Sequence, residues 1–304
     1  MHKKLLFILV MCSCEWLLAT GNKIVKTYYQ APSNTSAGII KEEYEVAENN
    51  DTIKNGFYKK YANNSDASLL IEGFYLNNKK EGVWKDYDYN GKLKNQSNYK
   101  DDSYFGEQKQ FDLYGKTTTV YYTNIDGQLD GNFKIFNAKN SCVASGNYTK
   151  NKQEGKWTYY YDNEKIRCVI PYKNDLIIDT SWSYYPSGKK MAFRILQNNR
   201  MYSLVGYYEN GKKQYTCNVI DTSLYIYHKK YFYENGKLKY ESTDNDTVTY
   251  TIQYYSRKGI KLDNSTYLNG NGILKTYNDD TLISEISYKN YLKDGLTVFY
   301  YPNG

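Results

Sequence analysis

The sequence predicts an all-β protein built as an elongated antiparallel meander of tandem β-hairpins in a single twisted sheet. Three observations predict this fold class: a phrase that returns about every 24 residues, 38 tyrosines among 304 residues, and no helical periodicity over any long window. Tyrosine suits strands because its ring packs while its hydroxyl stays in water. Aliphatic residues are sparse, so a thin sheet covered by aromatic rings fits the composition better than a thick core.

The clearest copy of the phrase is WTYYYDNEK at Trp157–Lys165, which follows Gly155. A glycine opens the phrase, an aromatic strand follows, and a polar turn closes it. Further copies are GVWKDYDYNGK, SWSYYPSGK, GYYENGK, YFYENGK and GLTVFYYPNG, at Gly82–Lys92, Ser181–Lys189, Gly206–Lys212, Tyr231–Lys237 and Gly295–Gly304.

The turn position serves as a ruler along the chain. Its residues are Asp66, Gly91, Gly115, Asn140, Glu164, Gly188, Gly211, Gly236, Gly259, Asp280 and Gly304. Successive steps are 25, 24, 25, 24, 24, 23, 25, 23, 21 and 24 residues. Compositional bias alone does not produce such a regular period, so we interpret the chain as a repeat array.

Within each unit the pattern is strand, turn, strand. At Asn235-Gly236 we expect positive φ at both central residues of a tight hairpin turn, and likewise at Asn90-Gly91 and Asn210-Gly211. A second connection then returns the chain, as in NKQEG at Asn151–Gly155. Because these connections are short, consecutive strands are expected to pair in chain order. Tyrosines on one face would then form ladders across the strands.

We predict three segments: a signal peptide at 1–21, an N-terminal strand and loop segment at 22–49, and the hairpin repeat array at 50–304. Within the second segment, Asn22–Tyr29 resembles a short strand and Gln30–Gly38 a loop.

The N-terminus indicates export. Leu5–Met11 is continuously apolar after the basic Met1–Lys4, and Ala19-Thr20-Gly21 offers small residues for signal peptidase. The apolar run is too short to span a bilayer. A second interpretation is a loose lipoprotein signal with a lipid anchor at Cys14, and a third is a buried structural segment. Export predicts a periplasmic, secreted or outer-membrane-associated protein.

Three cysteines follow the predicted signal: Cys142, Cys168 and Cys217. Their spacing matches no CxxC motif, and an odd number excludes a complete intrachain disulfide framework. One bridge between neighbouring units and three small half-buried strand residues are both compatible with the sequence.

The charges predict a solvated surface. The chain has 40 basic and 33 acidic residues, a net charge of +7, with the two signs interspersed around the turns. A nucleic-acid surface needs a concentrated basic stripe, and no run is that dense, so we expect no nucleic-acid partner.

The sequence offers no catalytic, cofactor-binding or metal-binding constellation. His228 is the lone histidine after the predicted signal, which excludes a multi-histidine metal site. Asp244-Asn245-Asp246 lacks the glycine and distal glutamate of a calcium loop. Other carboxylates cluster at predicted turns, where solvation explains them: Asp101-Asp102, Asp162, Glu164 and Asp279-Asp280. We therefore predict a protein that is not an enzyme and has no cofactor; an enzyme using two turn carboxylates is the alternative.

The G-x-W-x-Y-Y-x-x-N-G-K pattern of these copies resembles MORN repeats, and more narrowly the bacterial MORN-variant proteins often labelled antitoxin-like. The resemblance covers roughly residues 50–304. It is strongest at Gly82–Lys92, Gly155–Lys165, Gly206–Lys212 and Gly236 with its flanks, whereas the units at Gly106–Gly115 and Gly259–Asp280 are degenerate. It implies strings of β-hairpins that act in scaffolding, protein association or lipid contact, without catalytic residues. The antitoxin role fits poorly, because an exported chain would not neutralise a cytoplasmic toxin.

These observations predict an exported, non-catalytic repeat protein that acts as a binding or scaffolding surface for a protein or cell-envelope partner. The interleaving of tyrosine and lysine gives an alternative, a module that binds carbohydrate or lipid head groups through one sheet face. An antitoxin-like protein is a further alternative. The sequence does not indicate which tyrosines are exposed.

Overall fold

A computed structural model of the chain describes residues 22–29, 38–197, 200–245, 248–262 and 265–301. The signal peptide predicted at 1–21, the lipid anchor at Cys14, most of the loop at Gln30–Gly38 and the turn at Gly304 lie outside the described residues. Within the described ranges, no helix is long and apolar enough to cross a lipid bilayer.

The chain divides into two compact units, of which the first holds residues up to Gly115 together with residues 125–127. Seven of its described segments are strands. In chain order they are β1 (Lys23–Tyr28), β2 (Ile40–Ala47), β3 (Asn50–Tyr61), β4 (Leu69–Leu76), β5 (Lys79–Tyr87), β6 (Leu93–Lys100) and β7 (Ser103–Phe111). Each strand pairs antiparallel with the next one along the chain.

The second unit holds residues 116–124 and the chain from Gln128 onward. Its strands are β8 (Thr117–Thr123), β9 (Leu129–Phe136), β10 (Cys142–Thr149), β11 (Lys152–Tyr160), β12 (Ile166–Lys173), β13 (Leu176–Ile177), β14 (Asp179–Tyr184), β15 (Lys190–Gln197), β16 (Arg200–Tyr207), β17 (Lys213–Asp221), β18 (Ile226–Phe232), β19 (Leu238–Asp244), β20 (Thr249–Tyr254), β21 (Gly272–Asn278), β22 (Thr281–Lys289) and β23 (Leu292–Phe299).

Strands β8 to β20 pair antiparallel in chain order, with both β13 and β14 paired to β12. Seven strands of the first unit and thirteen of the second thus follow the predicted pattern, which confirms the all-β meander of tandem hairpins. The last three strands, β21 to β23, form a three-stranded sheet of their own. The turns inside this sheet are as short as those of the other hairpins, which is why the sequence does not indicate the separation, but residues 255–271 lie between β20 and β21.

The predicted turn ruler is confirmed from Gly91 to Gly259. Every ruler residue in this stretch has a positive φ: Gly91 (77°), Gly115 (78°), Asn140 (64°), Glu164 (64°), Gly188 (92°), Gly211 (85°), Gly236 (88°) and Gly259 (85°). At the first ruler residue and at Asp280 the positive φ falls one residue away, on Ala67 beside Asp66 and on Asp279. The repeat period therefore reflects one backbone conformation that recurs at each turn.

The turn type predicted at Asn-Gly is wrong. In Asn235-Gly236 the glycine alone has a positive φ, and the turn is closed by backbone hydrogen bonds from Gly236 to Tyr233 (2.8 Å) and from Tyr233 to Lys237 (2.8 Å). Asn90 and Asn210 behave like Asn235. These two backbone bonds define a turn with a single left-handed glycine in front of the second strand, the longer hairpin connection, rather than a two-residue turn. Oδ1 of Asn235 also accepts from the Lys237 amide at 2.9 Å.

Two-residue turns with positive φ at both positions occur instead at the second connection. They are formed by Asn77-Asn78, Asp101-Asp102, Lys150-Asn151, Asn174-Asp175 and Asn290-Tyr291. In four of these turns the second residue also bonds backward: Oδ1 of Asn151, for example, accepts from the Leu129 amide at 2.7 Å, while its own amide donates to the Leu129 carbonyl at 2.9 Å. Asparagine and aspartate tolerate the left-handed conformation and supply this acceptor, which explains their presence.

Replacing Glu164 by glycine should raise the free energy of unfolding of the second unit by about 0.5–1 kcal/mol, because glycine adopts φ near 64° without the clash that a Cβ causes. Urea unfolding measures the change. The reverse substitution, Gly188→Ala at φ 92°, is the matched control and should destabilise the unit. A Glu164→Gly variant that is less stable than the parent would contradict the assignment of strain to this turn.

The core of the sheet lies beneath single aromatic rings. Trp157 of β11 is 3% exposed and covers Gly146 of β10, where an added Cβ would lie 2.2 Å from the indole. The indole meets the rings of Tyr148 and Tyr172 edge to face, with centroids 5.2 and 6.3 Å away. Its Nε1 donates to the Asn147 carbonyl at 3.2 Å. The glycine thus makes room for the ring at a β-bulge between β10 and β11.

The first unit repeats this arrangement. Trp84 is 3% exposed, covers Gly73 at the same 2.2 Å, and donates to the Phe74 carbonyl at 3.1 Å. In the next copy, Gln108 takes the tryptophan position opposite Ser97 and is 1% exposed. Its amide bonds both backbone groups of Asn98, at 3.2 and 3.0 Å. A degenerate repeat therefore keeps its backbone by replacing ring packing with hydrogen bonds.

Candidate functional site

Tyrosine hydroxyls at the turns of the second unit bond the backbone of the following repeat. The donors and acceptors are Tyr161 to the Tyr184 carbonyl (2.7 Å), Tyr185 to Tyr207 (2.6 Å), Tyr208 to Phe232 (2.6 Å) and Tyr233 to Tyr255 (3.0 Å). Each bond spans 22 to 24 residues, one repeat. These tyrosines therefore join neighbouring hairpins, and their hydroxyls already have an acceptor.

The lysine that closes the turn has a similar role. The ammonium of Lys165 donates to the Ser187 carbonyl at 2.9 Å, and that of Lys212 donates to the Asn235 carbonyl at 2.8 Å. In the first unit, Lys92 bonds the Leu113 carbonyl at 2.9 Å. At these turns, the tyrosine and lysine side chains that the sequence indicated as candidates for ligand binding hold successive turns together.

A carboxylate–phenol pair in the first unit links stability to pH. The Tyr87 hydroxyl donates to Glu72 at 2.7 Å. Burial and this hydrogen bond raise the pKa of Tyr87 to about 12. The same bond is the largest cause of the lowered pKa of Glu72. Both shifts favour the neutral phenol beside the charged carboxylate.

Stability of the first unit should fall between pH 10 and about 12. A phenol whose folded pKa lies above its ordinary value of 10.0 stabilises the fold fully below pH 10, and the contribution is lost as the pH rises through the folded value. Urea unfolding from pH 9 to 12 measures this loss. Tyr87→Phe should show a shallower decline than the parent, and an identical decline in both proteins would contradict the assignment.

His228, which the sequence leaves as a residue of a strand or a turn, lies in β18 with 34% of its side chain exposed. Its Nε2 is 3.6 Å from Glu241. Glu241 also accepts from Tyr255 (2.7 Å) and pairs with Lys230 (3.3 Å). Burial raises the pKa of Glu241, but the hydrogen bonds from Tyr255 and Lys230 outweigh it, and the pKa is lowered overall. Glu241 thus joins neighbouring strands as a charged acceptor, which does not resemble a general base poised near neutrality.

The predicted turn carboxylates Asp101-Asp102 and Asp279 lie at turns as expected. Asp244 differs, because it is buried at the end of β19, where it pairs with Lys229 at 2.6 Å and accepts from Ser242 at 2.9 Å; Asp246 lies outside the described residues. Over the described residues, no three histidine, cysteine or acidic side chains are grouped as metal ligands.

The three cysteines are free thiols in the described structure. Cys142 and Cys168 are half-buried and Cys217 is buried, as expected for small strand residues. Burial raises the pKa of the Cys168 thiol, and Arg167 opposes the rise only in part. A thiol with a raised pKa is a poor nucleophile at neutral pH, so Cys168 has a structural character.

An exposed apolar patch lies on the first unit. We use the name apolar patch for Phe74 and Leu76 of β4, Val83 of β5 and Phe105 of β7, which are 45%, 48%, 46% and 42% exposed. Phe74 follows Gly73, the glycine beneath Trp84, and Leu76 follows Tyr75, whose ring packs against Trp84. Val83 precedes Trp84 itself, and Phe105 follows Tyr104, whose ring packs against Tyr99. Because side chains alternate along a strand, the apolar patch lies on the face opposite Trp84.

Lysine side chains border the apolar patch. Lys100 Nζ lies 5.6 Å from the ring centroid of Phe105, and Lys59 Nζ lies 6.0 Å from that of Phe57, the cross-strand partner of Phe74. Apolar side chains that are exposed together and bordered by polar groups are typical of surfaces that bind another macromolecule. The sequence reading missed this patch because its members look like ordinary strand residues in a single copy.

Three segments of the chain match a family model described as MORN repeat variant: residues 80–101, 153–174 and 228–243. The first two segments contain Trp84 and Trp157, each two residues after a glycine with positive φ. The chain carries MORN-variant repeats. This confirms the resemblance seen in the sequence, and MORN repeats are commonly binding or scaffolding modules.

No curated protein matches the chain significantly. Among solved structures, chains of the crystal structures described as TcdB2-TccC3-Cdc42 and TcdB2-TccC3-TEV are similar at 11% and 10% identity, with TM-scores of 0.20 and 0.19. The matches cover 92% and 91% of this chain but only 17% and 18% of those chains. Similarity at this level carries no argument about fold or function.

The two tryptophan-containing MORN repeats give an internal comparison for the apolar patch. The matched segments are offset by 73 residues, since they begin at 80 and 153, and the same offset relates Trp84 to Trp157. At that offset Phe74, Leu76 and Val83 become Asn147, Thr149 and Lys156, all exposed, while Phe105 becomes Ile178. The MORN backbone therefore forms equally well with polar residues at three of these four positions.

Proposed function

We propose that the protein is an exported, non-catalytic MORN-repeat array whose apolar patch binds a protein partner of the cell envelope. One observation carries this proposal: three of the four patch positions, Phe74, Leu76 and Val83, are apolar in the first unit and polar in the equivalent repeat of the second. The fold does not require exposed Phe74, Leu76 and Val83, and their exposure to water is unfavourable, by about 25 cal/mol per Å². A partner that covers them removes this cost.

The partner class follows from the chemistry of the surface. A protein interface has an apolar centre that excludes water and a polar border, with aromatic anchors prominent among its strongest contacts. Phe74 and Phe105 supply aromatic rings, and Lys59 and Lys100 supply a basic border. The charges beside the patch are of both signs, since Glu81 is the cross-strand partner of Phe74, so the surface fits a protein partner whose own patch is apolar at the centre and charged at the edge.

The test transfers the polar residues of the second unit to the first. In the variant Phe74→Asn/Leu76→Thr/Val83→Lys each position receives the residue of the equivalent repeat. Capture of envelope proteins by the tagged chain should fall at least about tenfold, because several anchors are removed together. The melting temperature should change little. The control is Ile220→Thr/Leu224→Asn, which removes two apolar side chains of the second unit, 60% and 61% exposed, without touching the patch.

Equal capture by the parent and the patch variant would overturn the proposal. Capture lost equally by the control would show that general surface hydrophobicity, rather than the apolar patch, retains the proteins. The intact mass of the chain from the envelope fraction tests export separately. Cleavage after Gly21 gives a chain that begins at Asn22, whereas an acylated N-terminal Cys14 gives a lipoprotein, and an uncleaved cytosolic chain contradicts export.

A sugar or lipid head group is the second candidate, favoured by exposed tyrosines beside lysine. Tyr89 and Tyr114 are 72% and 81% exposed, and Lys92 Nζ lies 5.7 Å from the Tyr114 ring. Exposed aromatic faces of this kind can stack sugars or lie at a membrane interface. Saturable binding to a glycan array or to anionic vesicles, lost in Tyr89→Ala/Tyr114→Ala, would support this candidate, and blank arrays would count against it.

A further inference from the structure

One repeat of the second unit lacks the ring that covers the sheet elsewhere. Gly155 and Trp157 are followed 24 residues later by Asp179 and Ser181, and Asp179 keeps the positive φ of the glycine, at 56°. The next residue, Trp182, resembles the missing tryptophan in the sequence. Its cross-strand partner is Val169, however, whereas Trp157 pairs with Ile170, so Trp182 lies on the opposite face.

A cavity of about 310 Å³ lies at this place. Its lining includes Cys168, Ile170, Ser181, Ser183, Leu204 and Arg194. We call this cavity the Ser181 socket. In the preceding repeat, the Trp157 indole fills the equivalent place above Gly146. Here Ile170 stands at the position of Gly146 and Ser181 at that of Trp157, and these two smaller side chains leave the cavity between them and Leu204.

The socket interrupts a row of aromatic rings. Tyr159 pairs with Cys168, and the following strands place Ser183, Ala192 and Gly206 in the same row. The aromatic residues resume at Tyr215, which pairs with Gly206 and whose ring lies against that glycine. Small side chains therefore occupy the row between two tyrosines. The socket is open toward solvent, since it lies on the face of a single sheet.

Arg194 gives the socket its charge. It is the sole charged residue among those that line the cavity, and it lies in register between Ser181 and Leu204. Its side chain is exposed and has no carboxylate partner among the described residues. Burial raises the pKa of Tyr215, and the nearby Arg194 guanidinium acts against that rise. An unpaired guanidinium beside an apolar cavity favours an anionic group attached to an apolar one.

We propose that the Ser181 socket receives an aromatic side chain of a partner polypeptide, with an adjacent carboxylate bound by Arg194. The ring would enter the cavity above Ser181 and would contact Ile170 and Leu204, while Tyr215 borders it. A polypeptide fits better than a small molecule, because small-molecule sites bury most of the ligand and an open socket on one sheet does not. The inference rests on the proposed function in assuming a protein partner, but it uses a different surface.

The test uses a defined peptide. The probe is acetyl-Gly-Gly-Trp-Glu-Gly-amide with a 5-fluorotryptophan, followed by 19F NMR on the full chain. The probe should bind saturably, and a peptide with glutamine in place of glutamate should bind about tenfold more weakly, because a charge-assisted hydrogen bond is lost. A leucine in place of the tryptophan should also weaken binding. Equal affinity of the glutamate and glutamine peptides would overturn the role of Arg194.

Two substitutions locate the probe. Ser181→Trp/Ile170→Gly rebuilds the glycine and tryptophan pair of the preceding repeat, fills the socket from within, and should abolish binding. Arg194→Gln should weaken the glutamate peptide about tenfold and remove its advantage over the glutamine peptide. Arg200→Gln, outside the socket, is the matched control and should change neither. Binding that survives both socket variants would overturn the proposal, and Arg194→Gln answers the question even if the double variant does not fold.

The outcome can be separated from that of the proposed function. The patch variant should still bind the peptide, since its changes lie in the first unit. If the patch variant loses capture of envelope proteins and the peptide does not bind the parent chain, the proposed function stands and the socket inference is overturned. If the peptide binds and the patch variant captures envelope proteins as well as the parent does, the socket inference stands and the proposed function is overturned.

Discussion

Replacing Trp157 by alanine should lower the free energy of unfolding of the second unit by about 3–5 kcal/mol, the range for deleting a large buried aromatic side chain. The ring is 3% exposed and lies between residues of three strands, with contacts to Tyr148 and Tyr172 and a cover over Gly146. Its loss opens a cavity and leaves the Asn147 carbonyl without the indole donor. Because each repeat contacts its neighbours, the loss should spread to the adjacent hairpins.

Urea unfolding followed by tyrosine fluorescence measures the Trp157→Ala effect, and hydrogen exchange of β10 to β12 shows whether these strands open first. Lys156→Ala is the matched control, since its side chain is exposed on the neighbouring position of the same strand. It should change stability by less than about 0.5 kcal/mol. A Trp157→Ala variant as stable as this control would show that the ring is not the core of its repeat.

The second large effect is expected at Gly146. A Cβ added there would lie 2.2 Å from the Trp157 ring, which is rigid and held by its own contacts, so either the indole or the backbone must move. We expect Gly146→Ala to cost about 2–4 kcal/mol, at the upper end of overpacking effects. Thermal unfolding of the variant measures the loss.

Gly155→Ala separates crowding from backbone strain. Gly155 has a φ of 70° but nothing within 4 Å of an added Cβ, so its substitution should cost only the left-handed strain, about 1–2 kcal/mol. Gly146→Ala should also become nearly neutral in the Trp157→Ala background, because the ring that it would strike is gone. Additive costs in this double-mutant cycle would refute direct contact as the cause.

The period and the strand alternation could be read from the sequence because both are local. A glycine at Gly91 or Gly236 marks a turn whose backbone needs a positive φ, and the recurrence of that turn every 23 to 25 residues imposes the meander. The Trp–Gly pairing was not evident in advance. It depends on a β-bulge that shifts the register between neighbouring strands, as between Ser145 and Asn147.

The turn at Asn235-Gly236 and the place of Trp182 both depend on pairing between residues that are far apart in sequence. The Asn-Gly dipeptide resembles a two-residue turn, but the Asn235 side chain bonds the Arg257 carbonyl of the next repeat at 2.9 Å, a contact between residues far apart in sequence. Trp182 resembles the motif tryptophan, but a displacement of one residue moves it to the other face. Neither contact leaves a signal in a single copy.

The candidate surfaces could have been found by comparing copies. Phe74 and Asn147 occupy equivalent positions, and so do Ser181 and Trp157. The side chains of each pair differ in polarity or size, whereas the neighbouring turns share the same backbone conformation. Such differences identify positions that the fold leaves open, and these are the positions on which both proposals rest. A single repeat shows only that its residues are compatible with a strand.

The hydrogen bonds between turns give the second unit a direction. Tyr161, Asn163 and Lys165 all donate to carbonyls of the repeat that follows, and Tyr208, Asn210 and Lys212 do the same. The tyrosine bond also recurs at Tyr185 and Tyr233, so each of these four junctions presents a tyrosine donor on one side and a backbone carbonyl on the other. A duplicated stretch of one whole period can enter at any of these junctions with its bonds satisfied on both sides, whereas a fractional insertion cannot. Gene duplication or deletion can thus lengthen or shorten such a chain in steps of one hairpin, without changes to the residues that bond neighbouring repeats.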